Sequence, residues 1–371
     1  MKILIKNKNN IKKYFMSSLF ITIGISCIIT VIYKGLFYVA LKKNYNQYNI
    51  KKKLMIKHDH GWYKKQKKYL LGKILKPISF LSKNENNQSI IRNGLLLINK
   101  NAPATVLVCH GFMSSKEDMG LMRTILDGYN VMTFDFRAHG ENCLNQNCTF
   151  GKEEKYDVIA AAEFIKKYPE LKNKPLFVYG FSMGAASSIL AQHERPDLFD
   201  GAIWDCPFES IDGLINRAIE RMKFSIFGYN FIIPGSFFLK KYVYHPYIQE
   251  IVKFFFKTFA RMDATQISTI VKPISPHEAI NDINIPFLLI GCHNDDKAPP
   301  VALLKIFKNA KKSQFKRLWI ASGRRHFDAF FVNPEKYIYK IQGFFKLLLN
   351  KNFKNKKPQK IKEDPCIYCF S

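Results

Sequence analysis

Short runs of consecutive apolar residues alternate with amphipathic stretches through the middle of the chain. Thr105–Cys109 (TVLVC), Asn130–Phe134 (NVMTF), Leu176–Tyr179 (LFVY), Ala202–Trp204, Pro286–Ile290 (PFLLI) and Arg317–Ile320 predict short buried strands. Between them, 117–127, 152–168, 183–194, 299–309 and 334–350 predict helices; in 152–168, Val158, Ala161, Ala162 and Ile165 recur on one face at helical spacing. Fully apolar strands joined by helices are the pattern of an α/β fold with a mostly parallel sheet covered on both faces. Ligands of such sheets bind beyond the C-terminal ends of the strands. The chemistry is therefore sought in the residues that follow each run.

The pattern changes at both ends. Phe15–Tyr33 runs nineteen residues without a formal charge, and Gly35–Leu41 adds seven more after Lys34. At about 1.5 Å per helical residue, the first stretch nearly matches a hydrocarbon core about 30 Å thick. An N-terminal transmembrane helix over 15–41 is expected, a cleaved signal and a buried soluble helix being the alternatives. The stretch is longer than the apolar core of a signal peptide, and no convincing cleavage site follows it. Five Lys precede it and six follow closely, so the positive-inside rule leaves its orientation open. Residues 1–14 read as a basic N-terminus, 42–88 as a Lys- and Asn-rich juxtamembrane connector, and 349–371 as a basic tail. In the connector, His58-Asp59-His60 has no partner ligands nearby and reads as solvated linker.

Charge sharpens this division. The 371 residues carry 58 Lys plus Arg against 29 Asp plus Glu, a formal net charge of +29. Residues 1–100 hold 21 basic and 2 acidic residues, whereas 101–345 hold 30 and 25. The excess therefore sits on the ends, around a nearly balanced globular domain. Of the basic residues 48 are Lys and 10 are Arg, and no nucleic-acid motif is present, so a specific nucleic-acid reader is not expected. Basic flanks beside an apolar span suit anionic lipid headgroups. A content of 47% hydrophobic residues excludes wholesale disorder.

The eight cysteines give no disulfide framework. Cys27 lies in the expected anchor, and Cys109, Cys206 and Cys292 end apolar runs, where Cys is a small buried hydrophobe. Cys143 and Cys148 flank a short loop and could pair in an oxidising compartment. Cys366-Ile-Tyr-Cys369 lacks the second pair that a structural zinc needs. Free thiols are expected.

Just past the LFVY strand comes Gly180-Phe181-Ser182-Met183-Gly184, followed by the helical AASSILAQH. Strand, sharp turn and helix are the context that gives G-x-S-x-G its meaning: the turn pushes a serine hydroxyl out at the head of a helix, whose N-terminus favours developing negative charge. Upstream, TVLVC ends in His110-Gly111-Phe112, where a backbone N–H can face an oxyanion. Downstream, PFLLIG runs into Cys292-His293-Asn294-Asp295-Asp296, and Arg317–Ile320 leads to Gly323-Arg324-Arg325-His326-Phe327. A serine hydroxyl needs an imidazole to take its proton, and the imidazole needs an acid to fix its tautomer. Ser, Asp and His each follow a strand.

These motifs resemble the α/β-hydrolase superfamily, most closely the branch of serine-aminopeptidase-like and monoacylglycerol-lipase-like hydrolases, over about 89–348. Asp135-Phe136-Arg137-Ala138-His139-Gly140 resembles the family's D-x-R-G-H-G turn, with Ala138 in place of Gly and with Glu141-Asn142 where a small residue is usual. Thr149-Phe150-Gly151, Glu154 and Asp157-Val158 resemble the helix start that follows. Asp205-Cys206-Pro207-Phe208 and Ser275-Pro276 resemble the borders of a helical cap, here 208–274, and Asn333-Pro334-Glu335-Lys336-Tyr337 the start of the last helix. The resemblance implies Ser182 as nucleophile, His326 as base, an Asp at 295 or 296 as acid, and the backbone N–H groups of Phe112 and Met183 as oxyanion donors. Asp295 fits the family's spacing to Ala298-Pro299 better. His110 and His139 are expected as turn residues, His193 on a helix surface and His293 at the rim.

The expected function is a membrane-anchored serine hydrolase of esters or thioesters, with lipid or acyl substrates suggested by the Phe-rich 208–260, which holds 10 of the 32 Phe. The alternative is a catalytically inactive scaffold serving as a tethered binding module. The triad chemistry is self-contained, so no metal or organic cofactor is implied.

Overall fold

A computed structural model describes residues 75–84, 86–142, 146, 148–220, 223–226, 229–232, 274–323 and 325–350. Eight of the described strands form one sheet: β1 (Leu75–Lys83), β2 (Ser89–Leu97), β3 (Thr105–Cys109), β4 (Asn130–Phe134), β5 (Leu176–Phe181), β6 (Gly201–Asp205), β9 (Phe287–Cys292) and β10 (Lys316–Ala321). Their order is β1-β2-β4-β3-β5-β6-β9-β10. β1 and β2 pair antiparallel with each other, and β2 pairs antiparallel with β4; every other pairing in the sheet is parallel.

The parallel strands read as unbroken apolar runs because both faces are covered. Successive residues of β5 point to opposite sides. Leu176 and Val178 join a core with Ala161 and Ile165 of helix α2 (Glu154–Lys167) and Ile189 of α3 (Met183–Glu194). Phe177, on the other side, stacks on Phe345 of α8 (Pro334–Leu349) with centroids 4.9 Å apart. The remaining described helices are α1 (Gly120–Ile125), α4 (Ile211–Glu220), the single turn α5 (Pro276–Ala279), α6 (Pro300–Asn309) and the short α7 (Asp328–Val332).

Four expectations need correction. The sheet already includes Leu75–Lys83, so β1 lies within the expected connector 42–88. Its sequence, LKPISFLSK, hides the strand because it is an edge, with only Phe80 and Ser82 buried, and an edge tolerates Pro77 and exposed lysines. β2 escaped notice because it buries Arg92 among apolar neighbours. The helix expected over 117–127 is shorter, 120–125. The segment 208–274 is not wholly helical, since β7 (Lys223–Ile226) and β8 (Tyr229–Ile232) form an antiparallel pair after α4. The rest of that segment, the expected anchor at 15–41, most of the connector and the basic tail lie outside the described residues. Among the described residues no helix is long and apolar enough to cross a membrane.

Candidate active site

Ser182 is the hinge between β5 and α3. Its φ of 51° is unusual for a residue with a side chain, a conformation that costs on the order of 1–3 kcal/mol and persists where the surroundings enforce it. The Ser182 N–H donates to Asp205 O at 2.8 Å, and its carbonyl accepts from Ala186 N at 3.0 Å. The two flanking glycines are demanded by close approach. A Cβ on Gly180 would lie 2.6 Å from Ala185 Cα, and one on Gly184 would lie 2.3 Å from the Cys109 carbonyl oxygen. The elbow and the end of β3 are in backbone contact.

The loops beyond the sheet continue its hydrogen-bond ladder. Cys206 N donates to Ile290 O at 2.8 Å, His293 N to Ala321 O at 2.8 Å, and Asn294 N to Gly323 O at 3.1 Å. The first ties the segment after β6 to β9; the other two tie the segment after β9 to the end of β10 and beyond, and there Asp295 meets His326. The Asp295 carboxylate only accepts, so His326 Nδ1–H donates to its Oδ2 at 2.7 Å. That leaves Nε2, 2.8 Å from Ser182 Oγ, to accept the hydroxyl proton. The other Asp295 oxygen accepts from Lys297 N at 2.8 Å and Ala298 N at 3.0 Å. Burial alone would raise the Asp295 carboxyl; the His326 ring and these two N–H groups outweigh it and hold it below the usual aspartate range. Asp296 is exposed. Of the two candidates the structure thus sets Asp295 against the imidazole.

Met183 is the first residue of α3, and the loop carrying Phe112 reaches the same place: a Cβ on Gly111 would lie 3.5 Å from Ser182 Cβ. The other histidines occupy their expected positions. His110 is wholly buried; Phe136 N–H donates to its Nε2 at 3.0 Å, so Nδ1 carries the proton and donates to Gly111 O at 2.7 Å. Burial pushes it down to about 3, keeping it neutral. His139 is buried against Arg137 O, His193 lies 3.7 Å from Asp282, and His293 is exposed. Ala138 adopts φ 60°, the left-handed backbone that the motif's usual glycine provides at less cost. Glu141 has partners of its own: Lys116 Nζ, itself 2.7 Å from Asp135, lies 2.9 Å away, and Asn93 Nδ2 donates to it at 3.2 Å.

The family model described as serine aminopeptidase, S33 matches residues 100–230, a segment that holds Ser182 and ends before Asp295 and His326. No curated protein sequence matches the chain. Among solved structures, an esterase of Pyrococcus furiosus superposes with a TM-score of 0.55 at 23% identity, covering 76% of this chain and 95% of that one. This superposition gives the chain the α/β-hydrolase fold. An acylaminoacyl peptidase of Pyrococcus horikoshii (TM-score 0.52, 17% identity) matches 82% of this chain but only 45% of its own. A thermophilic esterase of Thermogutta terrifontis (TM-score 0.50, 15% identity) matches 74% and 100%.

One group of metal-type ligands occurs among the described residues: Cys206, Asp295 and His326, with donor atoms within 4.8 Å of one another. Asp295 and His326 already satisfy each other. The Cys292 thiol and burial push the Cys206 thiol well above its ordinary value, so it is no thiolate ligand. The cluster is a hydrogen-bonded pair with a neutral thiol behind it. Cys109, Cys148, Cys206 and Cys292 are free and buried, and Cys143 lies outside the described residues.

The sequence marks Asp205 and Asp157 as motif residues but not as buried acids. Asp205, at the end of β6, is wholly buried and contacts Tyr179 and Tyr337. Asp157 joins Ser82, Arg92 and Arg137 in one buried network. Their partners lie as far as 132 and 75 residues away, so no local spacing shows the burial.

Proposed function

We propose that the protein is a serine hydrolase of carboxylic esters or thioesters that works through an acyl-enzyme. The single observation that carries this reading is His326, whose two ring nitrogens lie 2.8 Å from Ser182 Oγ and 2.7 Å from Asp295 Oδ2. The esterase names of the Pyrococcus furiosus and Thermogutta terrifontis structures and the serine aminopeptidase model support the class. In this reading Ser182 Oγ attacks the substrate carbonyl carbon while His326 Nε2 takes its proton, and Asp295 stabilises the imidazolium. The N–H groups of Phe112 and Met183 serve the oxyanion at the head of α3. His326 returns the proton to the departing alcohol or thiol, and a water repeats the sequence on the acyl-enzyme.

The apolar 15–41 stretch and its basic flanks support a single-pass anchor beside lipid, with the site on either side of the membrane. The Phe-rich 208–260 supports acyl substrates, since each buried CH₂ adds about 0.8 kcal/mol of transfer free energy. A fluorophosphonate probe tests the class. It labels the wild type and not Ser182→Ala, which loses several orders of magnitude in turnover on acyl esters. Unlabelled wild-type protein instead identifies an inactive scaffold. A full-length chain washed from membranes by carbonate overturns the anchor.

A further inference from the structure

Asp205, Tyr179 and Tyr337 meet in a closed triangle of oxygens directly behind the site. Tyr179 Oη lies 3.0 Å and Tyr337 Oη 2.5 Å from the same carboxyl oxygen, Asp205 Oδ2, and the two phenol oxygens are 2.6 Å apart. All three side chains are wholly buried. Two phenols supply protons for the two short contacts, and a third proton, on Asp205, turns the 3.0 Å contact into a hydrogen bond as well. An ionised Asp205 leaves the ring open at one contact. Its second oxygen, Oδ1, is buried without a partner beyond the weakly donating Cys206 thiol next to it. Such an orphan is costly for an anion and far cheaper for the carbonyl of a neutral acid. Burial raises the carboxyl in the same direction; Tyr337, Cys206, Tyr179 and the more distant His326 are the titratable groups that face it.

The triangle is also mechanically placed. It links β5, β6 and α8, and the Tyr337 ring stands edge-on to Phe330 at 5.6 Å and Phe327 at 6.3 Å. Phe327 follows His326 in the chain, holds φ 70°, and packs at 4.5 Å on Phe181, the residue before Ser182.

We propose that Asp205 carries a proton and closes a ring of three O–H···O bonds with Tyr179 and Tyr337, and that this ring, through Phe327 and Phe330, positions His326 over Ser182. Asp205 and Tyr337 are then positioning residues that never touch substrate. The positioning role rests on the hydrolase reading; the proton does not.

The test uses the full-length protein. The infrared difference spectrum of wild type minus Asp205→Asn at neutral pH, without substrate, is expected to show a neutral-carboxyl C=O stretch that shifts in heavy water. Tyr337→Phe or Tyr179→Phe moves that band, which decides the matter if the Asn variant fails to fold. A difference confined to carboxylate bands overturns the proton assignment. With p-nitrophenyl butyrate as probe, Tyr337→Phe lowers kcat roughly tenfold with KM unchanged, the signature of a displaced reacting group. Asp205→Asn leaves the acid limb of the kcat/KM profile in place, because no charge is removed beside His326. A wild-type kcat in Tyr337→Phe overturns the positioning role, and an acid limb moved to lower pH in Asp205→Asn overturns the neutral acid. Wild type that takes no fluorophosphonate overturns the hydrolase reading and the positioning role together, while the infrared band still decides the proton.

Discussion

Arg137 gives Asp157 three hydrogen bonds, from Nη2 at 2.8 Å and from Nε and the backbone N–H at 3.0 Å. Ser82 Oγ at 2.5 Å and Arg92 Nε at 3.2 Å complete the shell, all of it buried. The carboxylate thus fastens β1, β2, the turn after β4 and α2 to one point. Asp157→Ala leaves Arg137 with Glu153 and Arg92 with only the neutral Gln146 among the partners described, and removing one partner of such a buried pair costs about 3–5 kcal/mol. Denaturant unfolding is expected to show a loss of that size, or no folded protein. A loss under about 1 kcal/mol would mean that water reaches the arginines.

Gly184→Ala tests the contact between the elbow and β3. The new Cβ would sit 2.3 Å from Cys109 O and 2.5 Å from His110 O, both backbone atoms. Overpacking of this kind costs about 1–3 kcal/mol or more. Because the displaced segment leads to Phe112, esterase turnover is expected to fall further than stability does. A variant with wild-type melting and turnover would show that the two segments have room to part.

Asp295→Asn is expected to reduce turnover by about 10⁴-fold, since the amide presents the wrong hydrogen-bond pattern to His326 Nδ1. Asp296→Asn, at an exposed position, should change it little. Rates of both variants on one ester settle the ranking, and the reverse order would hand the role to Asp296.

His110 makes stability depend on pH. Its folded value is about 3, against 6.5 unfolded, so between these the unfolded chain binds the extra proton. Stability is therefore unaffected by this group above pH 6.5 and declines as the pH falls towards 3, by at most about 1.4 kcal/mol per pH unit. Unfolding free energies of wild type and His110→Gln across that window should diverge in slope, with the variant flatter. Parallel slopes would mean that the buried ring takes up a proton without unfolding.

The candidate triad was legible because its chemistry demands particular residue types directly after strands, and apolar runs mark where those strands end. β3 and β4 follow the sequence pattern residue for residue, as both are buried on either face. β1 was not legible: it is an edge among the described strands, with one face in solvent, and its alternation is broken by Lys76 and Pro77. Asp205 was visible as part of a motif but not as a buried acid. Its burial depends on Tyr337, 132 residues further on, which the pattern shows only as one apolar position of a helix. The choice between Asp295 and Asp296 turned on which carboxylate the Lys297 and Ala298 amides capture, a property of the turn rather than of the residue type.

The ladder that runs past the strand ends, from Ser182 to Asp205, from Cys206 to Ile290 and from Asn294 to Gly323, makes assembly and activity a single event. Ser182 and His326 stand 144 residues apart and meet only when β5, β6, β9 and β10 are aligned. A nascent chain released before β10 carries the elbow but no base. Such an intermediate lacks the imidazole beside Ser182, so the serine stays a plain hydroxyl until the last strand is in place.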